Sequence, residues 1–220
     1  MNSFIAYMGG KSLLAPKIIP MIPKHRCYVE VFAGAAWMLF KKEEEISHVE
    51  IINDINSDLV TLYRVIKHHL EEFMRYFKWI LISRDEFYRF RQETPETLTD
   101  IQRAVRFYYL LKLGYAARIK NPAFSIATTA KPRLNLLRIE EELSAVHLRL
   151  ARVYIENKPY EEVITRFDKS DTFFYIDPPY LGCEIKNLYK DFQIEFVDTV
   201  YSAGGADKKK KVTELLVMNF

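Results

Sequence analysis

Cysteine is nearly absent from this chain. Cys27 and Cys183 are the only two in 220 residues, and their separation matches no metal-ligand spacing. Two isolated cysteines point to free thiols rather than a disulfide framework. Long apolar runs are also missing, so no segment reads as a membrane span, and Met1–Gly10 lacks the basic start and apolar stretch of a signal peptide. A cytoplasmic protein with no membrane partner is expected. There are only seven glycines, and no internal repeat or low-complexity tract. Among the histidines, His68, His69 and His147 form no ligand pattern, which leaves them as surface or satisfied core residues and predicts no metal. A hydrophobic fraction of 49% excludes disorder and predicts one domain over residues 1–220.

Acids are absent where bases gather. The net charge is only +3, yet residues 101–138 hold Arg103, Arg106, Lys112, Arg118, Lys120, Lys131, Arg133 and Arg138 without one Asp or Glu. A solvated basic face is the ordinary explanation. The complete lack of acids, with Tyr108, Tyr109, Tyr115 and Phe124 interleaved, favours phosphate contacts beside stacking or wedge groups. Tyr115, Arg118, Lys120 and Arg133 are the candidate DNA-binding residues. Lys208–Lys211 follows Gly204-Gly205 and reads as a solvated hairpin loop with loose phosphate contact.

Apolar periodicity predicts a strand over 27–32, a helix over about 35–44, a strand over 49–53, and one long helix from Asp58 through Phe77. Residues 84–138 interrupt the alternation with helices and a proline-containing loop, as an inserted recognition subdomain would. A helix over 136–150, a strand over 152–156, a helix over 159–167 and a strand over 172–176 restore the α/β rhythm of a parallel sheet. A hairpin over 194–202 and 212–220 closes the chain.

Chemistry concentrates at predicted strand ends. Asp177-Pro178-Pro179-Tyr180 follows the run Thr172–Ile176, which puts a carboxylate, a carbonyl and an aromatic ring at the carboxyl end of a strand, where α/β sheets bind ligands. The two prolines fix φ twice and remove two donors, leaving Asp177 Oδ and the Pro178 carbonyl as acceptors suited to an exocyclic amine. Tyr180 could face a flipped base. A proline turn with Asp as a helix cap is the alternative. Tyr7-Met8-Gly9-Gly10-Lys11 reads as a glycine turn that lets backbone approach a ligand, with Lys11 at its mouth. The third motif, Glu30-Val31-Phe32-Ala33-Gly34, ends the first strand. Asp54 stands at the end of the second strand, 20 positions after Gly34, where a ribose is gripped in nucleotide-binding folds. With one glycine in the turn, a dinucleotide pyrophosphate is disfavoured, and a ligand with a ribose but no phosphate fits better.

Tyr7–Lys11, Glu30–Gly34, Asp54-Ile55-Asn56 and Asp177–Tyr180, in that order, resemble the Dam-type DNA N6-adenine methyltransferases, and Phe107–Tyr115 is similar to their DNA-recognition segment. The resemblance implies a Rossmann-like S-adenosylmethionine-dependent methyltransferase fold (α/β) with a mainly helical DNA-recognition insertion at 84–138 and a C-terminal β-hairpin. It implies S-adenosylmethionine as cofactor, held by Tyr7, Lys11, Glu30, Phe32, Gly34, Asp54 and Asp177. It further implies double-stranded DNA as partner, with Asp177, Pro178, Pro179 and Tyr180 catalytic and the protein monomeric. N4-cytosine methylation is the neighbouring chemistry, and a remnant that only binds DNA or cofactor is the alternative of another class. One departure follows Tyr180. The family continues with a loop, a helix, a further strand and another helix before the closing hairpin, whereas here Leu181–Glu184 runs almost at once into Ile185–Lys190, which resembles that later helix, as though a strand and a helix of about 40 residues were absent after Glu184.

Overall fold

Four short strands that are nearly all apolar lie side by side and parallel, which requires helical crossovers and coverage of both faces. The computed structural model describes residues 1–7, 10–115, 118–126 and 133–178, and the backbone of strands at 193–202 and 209–218. In chain order the elements are α1 Ala15–Ile18, β1 Cys27–Glu30, α2 Trp37–Lys41, β2 Val49–Asn53, α3 Ser57–His68, α4 Leu70–Phe77 and α5 Arg84–Gln92. They continue as α6 Asp100–Leu113, α7 Ile139–Leu150, β3 Val153–Glu156, α8 Tyr160–Phe167, β4 Thr172–Tyr175, β5 Gln193–Ser202 and β6 Lys209–Met218. The sheet order is β3-β2-β1-β4. The chain therefore steps outward from β1 to β3 and returns to the other side of β1, so the topological switch point lies between β1 and β4. Ligands of doubly wound sheets bind in the crevice at that point, beyond the carboxyl ends of the strands. This is the Rossmann-like α/β arrangement expected from the sequence.

Side-chain caps fix the starts of three helices. Asn56 caps α3 by accepting from the amides of Asp58 and Leu59, Ser83 caps α5 through the Glu86 amide, and Thr99 with Gln102 forms a capping box at α6. The single helix expected from Asp58 to Phe77 is instead two, because His69 leaves helical geometry at φ −137° and ψ 37° and becomes the entry to α4. Strand β1 stops at Glu30, two residues early, as the chain turns toward Gly34. Lys209, Lys210 and Lys211 are not in the hairpin loop as expected. They open β6, opposite Ser202, Tyr201 and Val200. Lys208 lies outside the described residues.

Val29, Val31 and Ile51 pack with Val163 of α8. Among the largest wholly buried side chains are Phe4, Tyr63, Phe73, Phe77 and Tyr108. Tyr108 of α6 sits 6.2 Å from Phe4, 5.6 Å from Phe73 and 5.5 Å from Phe77, ring centre to ring centre, so α6 is built into the core. The chain divides into two compact units, Met1–Asp177 and Pro178–Phe220, and the second contains the antiparallel β5–β6 hairpin. Among the described residues no helix is long and apolar enough to cross a membrane.

Beneath the β1 turn lies Glu30, 1% exposed. Its Oε1 accepts from the Tyr28 hydroxyl at 2.8 Å and from the Leu39 amide at 2.5 Å, tying α2 to the sheet. Burial dominates those two bonds and raises its carboxyl from the ordinary 4.5 to about 7. Between those values the folded protein keeps a proton that the unfolded chain releases, so this group costs stability as pH rises through the window. Glu30→Gln keeps an acceptor for both donors. Relative to wild type it should gain stability with rising pH, by up to about 3 kcal/mol between about pH 5 and pH 8. Urea unfolding at both pH values checks this, and parallel curves for the two proteins would contradict it.

Candidate active site

Gly34 occupies the left-handed region at φ +48°, which suits glycine and turns the chain sharply after β1. Its amide donates to Asp54 Oδ2 at 2.9 Å and its carbonyl accepts from the Tyr63 hydroxyl at 2.8 Å. A Cβ here would stand 3.2 Å from Tyr7 Cδ1, so the aromatic ring of the amino-terminal motif rests on the glycine turn. The Tyr7 hydroxyl accepts from Asn56 Nδ2 at 3.2 Å. Burial, and next the neighbouring Asp54, raise the Tyr7 phenol well above its ordinary value, so this hydroxyl keeps its proton throughout the physiological range.

Asp54 follows β2 directly. Its Oδ1 accepts from the Asn56 amide at 2.9 Å, so both oxygens hold backbone donors. Desolvation raises this carboxyl, against the lowering effect of those amides. A carboxylate has about four acceptor positions, so Asp54 keeps capacity for a ligand hydroxyl. The turn around it is braced from the other side: Ala33 N donates to the Asn53 carbonyl at 2.8 Å, Asn53 Nδ2 to the carbonyls of Val31 and Lys158 at 3.0 Å, and Asn157 Nδ2 to the Asp54 carbonyl at 2.7 Å. Asn56 belongs to the Asp54-Ile55-Asn56 motif, whereas Asn53, Tyr63 and Asn157 were not singled out as site residues from the sequence. A polar residue closing an apolar strand, as at Asn53, is the one local signal that could have found any of them.

The fourth motif enters through charge. Asp177 leaves β4 two residues after Tyr175, and its Oδ1 lies 3.0 Å from Lys11 Nζ. Lys11 is only 6% exposed, so this pair is largely desolvated. Gly10, just before it, has no room for a side chain, because a Cβ would meet Trp37 Nε1 at 2.8 Å. Tyr7 and Asp54 thus meet at the Gly34 turn after β1, and Lys11, at the end of the same amino-terminal turn, meets Asp177 after β4. The donor set fits a small ligand with a ribose: a glycine cradle, an aromatic lid, a carboxylate with spare acceptor positions and a second carboxylate beside them.

Two expected cofactor residues are placed otherwise. Glu30 is enclosed beneath the turn, where its carboxylate holds the Tyr28 hydroxyl and the Leu39 amide of α2. Phe32 is half-buried against Tyr160 at 5.6 Å and belongs to the packing under α8. Pro178 is half-buried, and Pro179 and Tyr180 lie outside the described residues.

The acid-free segment divides in three dimensions. Tyr108 and Tyr109 are wholly buried and are not stacking groups, and Phe124 packs on Phe87 at 5.3 Å. Arg103 pairs with Asp58 and Lys112 with Glu142, so acids distant in sequence neutralise part of the basic run. Tyr115, Arg118, Lys120 and Arg133 remain exposed, as a surface for a polyanion requires. Lys131 lies outside the described residues.

Comparison with known proteins agrees with this geometry. The family model described as D12 class N6 adenine-specific DNA methyltransferase matches residues 7–214. The DNA adenine methylase of Escherichia coli K12 is 28% identical over 198 aligned residues, which takes in 81% of this chain and 65% of that protein. That of Salmonella typhi is 29% identical over 186, with the same shares. The chain thus spans slightly less than two thirds of these relatives. The Type II methyltransferase M1.LlaDCHI of Lactococcus lactis subsp. cremoris is 22% identical over 283 positions, covering 100% of this chain and 96% of that protein.

Proposed function

Since the chain belongs to the D12 class N6 adenine-specific DNA methyltransferase family, we propose that it transfers a methyl group from S-adenosylmethionine to N6 of adenine in double-stranded DNA. The observation that carries this reading is the Lys11–Asp177 pair at the β1/β4 switch point, within the cluster that also holds Tyr7, Gly34 and Asp54. S-adenosylmethionine supplies a methyl group already activated by its sulfonium. What remains for the protein is to align donor and acceptor and to take up charge from the amine. Asp177 Oδ and the Pro178 carbonyl accept the two N6 hydrogens and turn the nitrogen lone pair toward the methyl group. Tyr180 stacks on the extruded base. Lys11 offsets the negative charge of Asp177 and anchors the amino-terminal turn over the cofactor. Tyr115, Arg118, Lys120 and Arg133, in the recognition subdomain at 84–138, meet the DNA. Tritium transfer from labelled cofactor into adenine of a DNA duplex is the test, and label in cytosine or no transfer would overturn the assignment.

Cofactor binding is separable from transfer. Asp54→Ala should lose a charge-assisted bond to the ribose worth about 1.5–3 kcal/mol, and with it roughly tenfold to a hundredfold in S-adenosylmethionine affinity. Calorimetry on the two proteins measures it. Equal affinities would remove Asp54 from the site.

A further inference from the structure

Away from the switch point, a cavity of about 190 Å³ opens between α5, α6 and the segment at 118–122. Arg91, Arg106 and Arg118 line it, and Phe107, Leu110 and Leu111 supply apolar wall. Arg106 is 8% exposed, yet no carboxylate pairs with it among the described residues. Its Nε donates to the Phe90 carbonyl at 2.7 Å and its Nη2 to the Arg91 carbonyl at 3.4 Å. Arg91 in turn donates from Nη1 to the Pro122 carbonyl at 3.2 Å, which ties α5 to the loop across the cavity. The carboxylate that also lines the space, Asp58, is already engaged by Arg103. Three guanidinium side chains therefore surround one small space whose only acid is spent. A guanidinium that is this buried carries a large desolvation cost unless an anion offsets it.

We infer that this cavity is a phosphate-ester site, with Arg106 as its buried anchor and Arg91 and Arg118 as its outer donors. Guanidinium forks match the geometry of phosphate oxygens, and the leucine and phenylalanine wall suits the sugar that a phosphate ester carries. The ester comes either from a free nucleotide or from the backbone of a DNA strand, and the Arg118 variant is read against both. This inference does not rest on methyl transfer, so failure of transfer in the wild type leaves it standing.

The free arm titrates thymidine 5′-monophosphate, which an adenosine pocket does not select, into the full chain at low salt. Binding at millimolar concentration is expected. Arg118→Gln removes an exposed charge without disturbing the fold, and Arg106→Lys keeps the charge but loses the fork. Each should weaken binding about tenfold or more, with thermal melting run alongside to confirm folding. Arg152→Gln, an exposed charge elsewhere, should change it less than about twofold. The DNA arm measures duplex affinity against salt, where Arg118→Gln should flatten the slope of log affinity against log salt by about one unit. Loss in the first arm assigns a free phosphate ester, and no nucleotide binding by the wild type together with loss in the second arm assigns the DNA backbone. Binding of the nucleotide that survives both variants, or no effect in either arm, overturns the site.

Discussion

Asp177→Ala should lower methyl transfer by at least a hundredfold to a thousandfold, the effect of removing one preorganised acceptor of developing charge, while DNA affinity stays nearly unchanged. On the proposed function the two readouts separate, because Asp177 would meet one exocyclic amine, whereas DNA affinity would rest on phosphate contacts made by other residues. The variant also strips Lys11 of a partner 3.0 Å away at a site where Lys11 is only 6% exposed. Some loss of stability is therefore expected with alanine. Asp177→Asn preserves shape and one acceptor, so it keeps the fold while losing the charge that the reacting amine needs. Single-turnover tritium transfer on both variants, with unfolding curves alongside, distinguishes a chemical role from a structural one. Turnover at the wild-type rate in the asparagine variant would remove Asp177 from the chemistry.

The second large effect concerns chain that is not there. The alignment with the Lactococcus lactis relative runs over 283 positions while this protein has 220 residues, so about 63 positions have no residue of this chain opposite them. Among the described residues β4 is the outer strand of the parallel sheet, and the crevice where Asp177 stands lies between it and β1. By the resemblance to the family, the expected strand and helix are wanting after Glu184, a position outside the described residues. A target pocket that lacked such a wall would hold an acceptor amine too loosely for in-line transfer, which tolerates well under an ångström of error. The 220-residue chain is therefore expected to show weak or no turnover, and a chimera carrying a relative's strand and helix after Glu184 to gain a hundredfold or more, on the order of what positioning contributes. Cofactor affinity should be equal in the two, because Tyr7, Gly34 and Asp54 are complete in the short chain. Full activity of the short chain would show that no wall is wanting.

The sequence alone determined those features whose cause is local. A glycine that must take φ +48° at the end of β1, an acid at the end of β2, and Asp-Pro-Pro after β4 announce themselves because backbone stereochemistry and strand periodicity act over a few residues. Partnership and burial belong to the tertiary structure. Lys11 and Asp177 stand at opposite ends of the first compact unit, and only the return of β4 beside β1 brings them to 3.0 Å. Glu30 reads as a ligand contact in its motif, yet packing of α2 encloses it. The basic run at 101–138 reads as one polyanion surface, yet Asp58 and Glu142 arrive from α3 and α7 to neutralise Arg103 and Lys112, and the core takes Tyr108 and Tyr109. Among the described charges of that run Arg106 is driven inward without an acid, and it lines a cavity that the sequence gives no sign of. Coulomb energy and desolvation depend on what else folding brings within a few ångströms, and spacing along the chain does not carry that information.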